Sequence, residues 1–215
     1  MIEQPQMRDY VRWHEAYDDP ESSLSLRLRH VQLAIGAAYD AHKGSVRVLS
    51  SCAGQGADLL GVLDARPELR ARTTGALIEL HPTNAAIARD RIADLGVDLQ
   101  VVEADASVST PYVDWSPADL VLLSGIMGNI GTDDVERLVR ASPQFCAHGA
   151  TVIWTRGSQT PDIGPEIRRW FAESGFEEVS YDERLGGTSM RVGVNRYVGE
   201  PQPSEPGTKL FTFVR

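Results

Sequence analysis

The feature that most constrains this chain is a regular alternation of short apolar segments with longer segments of helical spacing. The apolar segments are rich in β-branched residues, as in "SVRVLSS" and "ADLVLLSG", which is typical of strands. Such alternation predicts βαβ units, a largely parallel sheet and right-handed crossovers. Strands are predicted at 45–51, 73–80, 97–105, 118–125, 149–157, 176–182 and 209–215, and helices at 7–18, 24–41, 57–64, 83–96, 132–143 and 162–175. The segment 189–199 is open between a strand and a loop.

Composition restricts the partners that such a domain can have. The chain has 215 residues and a net charge of −9, whereas phosphate backbones attract basic surfaces, so we expect no nucleic-acid partner. No apolar run is long enough to span a bilayer, and the polar N-terminus lacks the pattern of a secretory signal. We therefore expect a cytoplasmic protein with no membrane partner. Cys52 and Cys146 are too few for a disulfide framework or a structural zinc site, and no metal is predicted.

In a parallel α/β sheet, ligands bind outside the carboxyl ends of the strands. The first strand ends in "SSCAGQG", where small residues let the backbone approach a ligand at the start of a helix. This loop has neither the G-x-G-x-x-G dinucleotide pattern nor the G-x-x-x-x-G-K-S/T phosphate loop, and it contains no lysine. A ligand held mainly by phosphates is therefore disfavoured. A plain tight turn remains an alternative for this stretch taken alone.

Acidic residues end the next two predicted strands. Glu79 ends the second strand, where a carboxylate can accept hydrogen bonds from both hydroxyls of a ribose. Asp105 ends the third strand and could accept a hydrogen bond from an adenine amino group. The alternatives are a solvated strand-end carboxylate for Glu79 and a turn cap for Asp105. Together with the small-residue loop, the two acids favour an adenosyl ligand.

The fourth and fifth strand ends extend this edge. In "LLSGIMGNIG", Ser124 and Gly125 are predicted to face the ligand, while Met127 and Asn129 project toward a second molecule. Glycines lower stability, so their number in this segment indicates that open space is needed here. Arg156, at the end of the fifth strand, is either a surface residue or a substrate anchor.

These strand ends together resemble the class I S-adenosylmethionine-dependent methyltransferases. In the first motif of that family a strand and an acid precede G-x-G-x-G; here Gly54 and Gly56 match, Ser50 replaces the acid and Cys52 replaces the first glycine. The resemblance implies S-adenosylmethionine as donor and S-adenosylhomocysteine as product. It also implies a Rossmann-like α/β fold with a mostly parallel seven-stranded sheet, helices on both faces and an antiparallel last strand. The donor-binding residues that it implies are Ser51, Cys52, Ala53, Gly54, Gly56, Glu79, Leu80, Asp105, Ala106, Ser124 and Gly125.

A narrower likeness is carried by four longer segments. "RVLSSCAGQGADLLGVL", "ADLVLLSGIMGNI", "CAHGATVIWTRG" and "FAESGFEEV" resemble a group of small actinobacterial-type methyltransferases, for which no substrate follows. Because Ser50 cannot act as the missing acid, another group should contact the methionine end of the donor. Asp58 and Arg27 are the candidates, against plain roles as a first-turn helix acid and a solvated cation.

The aromatic segment "YVRWHEAY" predicts an N-terminal helical lid over residues 1–23, ahead of a methyltransferase domain over 24–215. Trp13 and Tyr17 could stack on an aromatic substrate, or they could pack the segment against the domain. His14 is a candidate general base for a hydroxyl or ammonium nucleophile, with an ordinary exposed residue as the alternative.

A small-molecule acceptor is the predicted substrate, methylated by in-line displacement. The fourth strand is not followed by an N-P-P-Y-type motif, which disfavours methylation of an amide or nucleobase nitrogen. The alternatives are a non-catalytic S-adenosylmethionine-binding domain, motivated by Ser50 and Cys52, and an RNA methyltransferase, disfavoured by charge. A dinucleotide oxidoreductase is disfavoured by the missing fingerprint, and a homodimer is left open.

Overall fold

The computed structural model describes residues 19–157, 159–183, 188 and 190–214. The predicted helix over 7–18 and most of the predicted lid, with Trp13, His14 and Tyr17, lie outside the described residues. The helices are α1 (Ser23–Ala41), α2 (Ala57–Ala65), α3 (Pro82–Leu95), α4 (Thr132–Ala141) and α5 (Gly164–Glu173). The strands are β1 (Val46–Ser51), β2 (Thr73–Glu79), β3 (Asp98–Glu103), β4 (Ala118–Leu123), β5 (Cys146–Gly157), β6 (Phe176–Asp182) and β7 (Met190–Tyr197). Short 3-10 turns cover Pro67–Arg72, Thr110–Trp115 and Ser142–Phe145.

All seven strands join one sheet in the order β3-β2-β1-β4-β5-β7-β6. Neighbours from β3 to β5 pair in parallel, whereas β7 runs antiparallel to both β5 and β6. This confirms the predicted Rossmann-like sheet with an antiparallel last strand. The strand order reverses between β1 and β4, so a crevice is expected at the carboxyl ends of these two strands.

The antiparallel strand is not the segment that was predicted as the final strand. Residues 209–214 make only two isolated bridges, Val108–Lys209 and Ile130–Phe213. Leu210 and Phe211 are both buried, so the apolar side chains do not alternate between two faces as they do in a strand. The prediction over 209–215 is therefore wrong, and the segment left open at 189–199 supplies β7.

Residues 207–214, which we call the 207–214 strap, run across the carboxyl edge of the sheet. The Leu210 amide donates to the Ser107 carbonyl at 2.8 Å, and the Val214 amide donates to the Asn129 carbonyl at 2.9 Å. The strap thereby connects the loop after β3 to the loop after β4. The strap lies beside the connection from β3 to β4, which contains the short turn Thr110–Trp115 and no α-helix. The buried Leu210 and Phe211 complete the apolar layer there.

Each face of the sheet carries its own apolar layer, because neighbouring residues of a strand point to opposite faces. Val48 and Leu120 belong to the layer shared with α1, α2 and α3. Leu49 and Val121 belong to the layer shared with α4 and α5. None of the described helices has the length and apolarity that crossing a membrane requires.

Packing between β5 and β7 depends on a glycine beneath a tryptophan. Gly193 lies opposite Trp154 in the strand register, and a Cβ on Gly193 would lie 2.2 Å from the indole ring. The indole Nε1 donates to Asn195 Oδ1 at 2.8 Å, and the ring stacks with Phe171 and Tyr181. Trp154 is therefore a core residue, and its position requires the absence of a side chain at residue 193.

We expect Gly193→Ala to lower the free energy of unfolding by about 1–3 kcal/mol, because the new methyl group would force the buried indole off its site. Gly36→Ala is the matched control: a Cβ there meets only Arg66 Nη1, at 3.6 Å, within helix α1. The control should raise stability by up to about 1 kcal/mol through helix propensity. Urea denaturation measures both, and equal stability of Gly193→Ala and wild type would contradict this account.

Candidate functional site

β1 leads into a loop, residues 52–56, whose backbone is left-handed at three positions. The angle φ is 50° at Cys52, 57° at Gly54 and 72° at Gly56. This region is unfavourable for a residue with a Cβ. Cys52 nevertheless adopts it, whereas the glycine that it replaces would do so without strain. A Cβ on Gly56 would lie 2.7 Å from the Leu60 side chain. The loop therefore keeps its glycine-type geometry despite the cysteine.

The carboxylate of Glu79 fixes this loop to the end of β2. Its Oε2 accepts a hydrogen bond from the Gly54 amide at 2.7 Å, and its Oε1 accepts one from the His81 amide at 2.8 Å. Glu79 is 8% exposed. Because each carboxylate oxygen can accept more than one hydrogen bond, the same group can also receive ligand hydroxyls. The alternative of a merely solvated strand-end acid does not describe Glu79.

Leu80 and Asp105 lie beside Glu79 at the same edge. Glu79 is in register with Glu103 of β3, and the Ala104 amide donates to the Glu79 carbonyl at 3.2 Å, which brings the loop after β3 alongside. Leu80 is 57% exposed and offers an apolar surface at this edge. Asp105 is exposed and caps its own turn, since its Oδ1 accepts from the Ser107 amide at 2.8 Å.

Ser51 does not offer its side chain to a ligand. Its hydroxyl lies 2.5 Å from the Tyr112 hydroxyl, and both residues are buried. Tyr112 donates its single hydrogen to the Ala106 carbonyl at 2.8 Å, so Ser51 must donate to Tyr112. A donor contact of Ser51 would therefore involve its backbone, and Ser51 as a donor-binding residue stays a prediction. The chain Ser51–Tyr112–Ala106 instead holds the loops after β1 and β3 in one arrangement, and burial raises the pKa of Tyr112.

Cys52 is a packing residue with a protonated thiol. Burial raises the pKa of the Cys52 thiol to about 12, and the nearby Glu79 carboxylate acts in the same direction. Its side chain packs against the layer shared with α4 and α5. At neutral pH the group is therefore neither a thiolate nucleophile nor a charged partner for a donor.

The loop after β4 is closed by its own hydrogen bonds. The Gly125 amide donates to Thr155 Oγ1 at 2.8 Å, and Asn129 Nδ2 donates to the Gly125 carbonyl at 2.7 Å. The Asn129 side chain thus holds the loop through its Nδ2, and its predicted contact with a second molecule stays a prediction. Ser124 is half-buried, and its Oγ has no hydrogen-bond partner among the described residues. Thr155 was not predicted as a site residue, because its role depends on a contact with a distant glycine.

Met127 and Arg156 are also placed differently from the prediction. Met127 is fully buried in the layer shared with α4 and α5, which contradicts a side chain that reaches a substrate. Arg156 is 6% exposed, and its Nη1 donates to the Met127 carbonyl. Of the two alternatives for Arg156, the surface residue is therefore wrong, and the substrate anchor stays a prediction.

The two residues suggested as replacements for the acid at Ser50 lie on the neighbouring helices α1 and α2. Arg27 of α1 is 3% exposed, and its Nη1 lies 3.6 Å from the point where a Cβ on Gly125 would stand. Asp58 is half-buried in the first turn of α2, where its charge favours the helix N-terminus. Arg27 is thus buried at the end of β4, and the alternative of a solvated cation does not describe it.

Within the described ranges, no group of three or more His, Cys, Asp or Glu side chains is arranged to hold a metal ion. The described edge is instead built from glycine backbone, hydroxyl groups, the carboxylates of Glu79 and Asp105, and buried guanidinium groups. This chemistry suits an organic ligand that carries hydroxyl groups, an apolar ring and separate charges.

No protein-family model and no curated protein sequence matches the chain. Solved structures do match. Magnesium protoporphyrin IX methyltransferase (ChlM) from Synechocystis PCC 6803, with bound S-adenosylmethionine, has a TM-score of 0.68 at 10% identity and covers 89% of this chain and 92% of that chain. The mitomycin 7-O-methyltransferase MmcR has a TM-score of 0.57 at 20% identity and covers 86% of this chain and 60% of that chain.

A third matching structure belongs to echinomycin biosynthesis, described as the conversion of a disulfide bond into a thioacetal group. Its TM-score is 0.56 at 22% identity, with 78% of this chain and 81% of that chain covered. Identities at this level show the fold. The chain therefore has the class I methyltransferase fold, and the narrower actinobacterial-type group stays a prediction.

We expect Tyr112→Phe to lower the free energy of unfolding by about 1–3 kcal/mol, because it leaves the buried Ser51 hydroxyl and Ala106 carbonyl without a partner. Combined with Ser51→Ala, it should cost less than the sum of the two single changes. Tyr197→Phe, which removes a half-buried bond to the Glu200 carbonyl far from these loops, is the control and should cost less. Chemical denaturation of the four variants gives the coupling energy, and simple additivity would contradict the Ser51–Tyr112–Ala106 chain.

Proposed function

We propose that this protein binds S-adenosylmethionine and transfers its methyl group to a small-molecule acceptor. The observation that carries the proposal is the Glu79 carboxylate, flanked by the glycine loop on one side and by the exposed Leu80 and Asp105 on the other. A ribose needs an acceptor for two hydroxyls, and an adenine needs an apolar surface and an acceptor for its amino group. Glu79, Leu80 and Asp105 supply these features in adjacent positions.

The methionine end of the donor fits the other half of the edge. Ala53, Gly54 and Gly56 offer backbone without bulky side chains, and the buried Ser124 Oγ would gain a partner from a bound polar group. Arg27, beside Gly125, is suited to the donor carboxylate, since guanidinium groups bind carboxylates with strong, charge-assisted hydrogen bonds. This assignment gives the donor an anchor that does not depend on an acid at Ser50.

The donor supplies a methyl group on a positively charged sulfur, which passes to a lone pair of the acceptor and leaves the thioether S-adenosylhomocysteine. The protein needs only to align the acceptor with the methyl group and to exclude water. In this proposal, the Gly125–Thr155 and Asn129–Gly125 hydrogen bonds keep the loop after β4 in place for that alignment. If the acceptor is a hydroxyl or an ammonium group, His14 is the proposed base for its proton.

Two alternatives remain as competing proposals. A non-catalytic donor-binding domain is motivated by Ser50 and Cys52, and an RNA methyltransferase is opposed by the net charge of −9. Proteins of this fold that are named for magnesium protoporphyrin IX and mitomycin support a small-molecule acceptor. A cytoplasmic location and a homodimer are further proposals that separate experiments must test.

Calorimetry with S-adenosylmethionine, S-adenosylhomocysteine and NAD tests donor binding directly. We expect micromolar-range binding of donor and product, and no binding of NAD, because the loop lacks the features that hold a pyrophosphate. A folded, intact protein that binds neither donor nor product would overturn the proposal. Formation of S-adenosylhomocysteine in the presence of candidate acceptors then separates an enzyme from a non-catalytic binding domain.

We expect Glu79→Gln to weaken S-adenosylhomocysteine binding by roughly tenfold or more, because hydrogen bonds to a charged acceptor contribute about 1.5–3 kcal/mol. Glu103→Gln is the matched control, since Glu103 is the register partner of Glu79 on β3 but is exposed and paired with Arg89 at 3.0 Å. The control should bind like wild type. Calorimetry measures the affinities, on variants whose cooperative thermal unfolding shows that they are folded. Unchanged affinity of Glu79→Gln would show that Glu79 does not bind the ribose.

A further inference from the structure

The buried charges of this protein are concentrated at one edge of the sheet. Among the described residues, the charged side chains that are buried are Arg27, Glu79, Arg156 and Arg191. Glu79 ends β2, Arg27 contacts the end of β4, and Arg156 lies at the end of β5 with Arg191 opposite it on β7. Three buried arginines at a ligand-binding edge contrast with an overall charge of −9.

Arg156 and Arg191 form a cross-strand pair. They occupy directly opposed positions in the antiparallel β5–β7 register, so their side chains leave the same face of the sheet. Like charges in opposed positions are destabilising, and burial away from water increases that cost. A fold keeps such an arrangement where a negative charge compensates it.

The described partners of Arg191 compensate it only in part. Its Nη2 donates to Asp162 Oδ2 at 2.7 Å, but Asp162 is itself 48% exposed. The Nε and Nη1 atoms of Arg191 are buried and have no hydrogen-bond partner within the described structure. Buried donors without acceptors are rare in folded proteins, and each is a reason to look for a ligand.

The surroundings of the pair are suited to an anion. Gly164 begins helix α5 beside Arg191, since a Cβ on Gly164 would lie 3.7 Å from Arg191 Nε. The N-terminus of a helix carries a partial positive charge, which adds to that of the guanidinium groups. Glu166, in the first turn of α5, is the other nearby acid along the chain, and its Oε2 has no hydrogen-bond partner in the described ranges.

The donor does not account for all of these cations. It carries one carboxylate, for which Arg27 at Gly125 is the assigned partner. The Arg156–Arg191 pair lies beyond it, toward β7, and Arg156 reaches the loop after β4 through the Met127 carbonyl. The buried Nε and Nη1 of Arg191 can therefore receive a second anion on the acceptor side of this edge.

We propose that the acceptor is a small organic acid whose carboxylate binds the Arg156–Arg191 pair. This substrate class rests on the proposed methyltransferase function, because it assigns the pair to the acceptor of that reaction. The carboxylate would accept hydrogen bonds from the unpartnered nitrogens of Arg191 and would hold the acceptor at the end of β4, next to the methyl group. Arg156 and Arg191 are binding residues in this arrangement.

The test uses the full-length protein, with and without excess S-adenosylhomocysteine, and three pairs of probes that differ only in charge. These are acetate and acetamide, benzoate and benzamide, and indole-3-acetate and indole-3-acetamide. We expect at least one carboxylate to bind roughly tenfold more tightly than its amide, and we expect Arg191→Gln and Arg156→Gln to remove that preference. Calorimetry, or chemical-shift changes in NMR spectra, measures the affinities.

Arg196→Gln is the matched control, because Arg196 lies on the same strand but is exposed and paired with Glu177 at 2.6 Å. It should keep the carboxylate preference. Arg191→Lys guards against loss of folding, since it keeps the charge and should retain part of the preference. Equal binding of each carboxylate and its amide to the wild type, or an unchanged preference in both glutamine variants, would overturn the proposal.

The two proposals fail in different ways. If S-adenosylhomocysteine does not bind but a carboxylate preference is present and is lost in Arg191→Gln, the anion site stands and the methyltransferase function is wrong. If S-adenosylhomocysteine binds with micromolar-range affinity and no probe distinguishes charge, the donor site stands and the organic-acid acceptor is wrong.

Discussion

The Glu79 carboxylate is the interaction on which the carboxyl edge of this protein depends. One of its oxygens accepts from Gly54 and the other from His81, so a single side chain fixes both the loop after β1 and the start of α3. Hydrogen bonds to an ionised acceptor are roughly twice as strong as neutral ones. Glu79 therefore organises the glycine loop before any ligand binds, and a bound ribose would add to contacts that already exist.

The sequence was sufficient to predict strands β1 to β6 and the acids at their carboxyl edge, but not the segment that supplies β7. Parallel strands are long, apolar and separated by helices, and the acids at 79 and 105 are conspicuous because they interrupt apolar runs. The bonds inside the edge were not predictable in the same way. Ser51 and Tyr112 are 61 positions apart, and their contact depends on how the loops fold against each other.

The errors of prediction share a physical cause. Met127 and the segment 209–215 were assigned from local pattern, yet both are governed by tertiary contacts: core burial for Met127 and two isolated bridges for the segment. Arg191 was missed because an arginine within a strand is usually a solvated residue. Its importance depends on the antiparallel register with Arg156.

The departures at Ser50 and Cys52 are compatible with an intact donor site for different reasons. Cys52 keeps the backbone angle of the glycine it replaces and contributes a neutral, packed thiol. With Ser50 in place of the family's acid, the edge has one negative charge fewer, and the buried arginines give it positive charge. The selectivity of such a site would come from buried cations, because the acidic outer surface repels anions in general.

The 207–214 strap also determines when this edge can form during synthesis of the chain. Lys209 Nζ donates to Ser107 Oγ at 2.5 Å across 102 positions of sequence, and the Val214 amide donates to the Asn129 carbonyl. On a ribosome, strands β1 to β5 would leave the exit tunnel well before the residues that close their loops. The parallel part of the sheet can therefore assemble early, whereas the loops after β3 and β4 gain these contacts only once residues 209–214 have emerged.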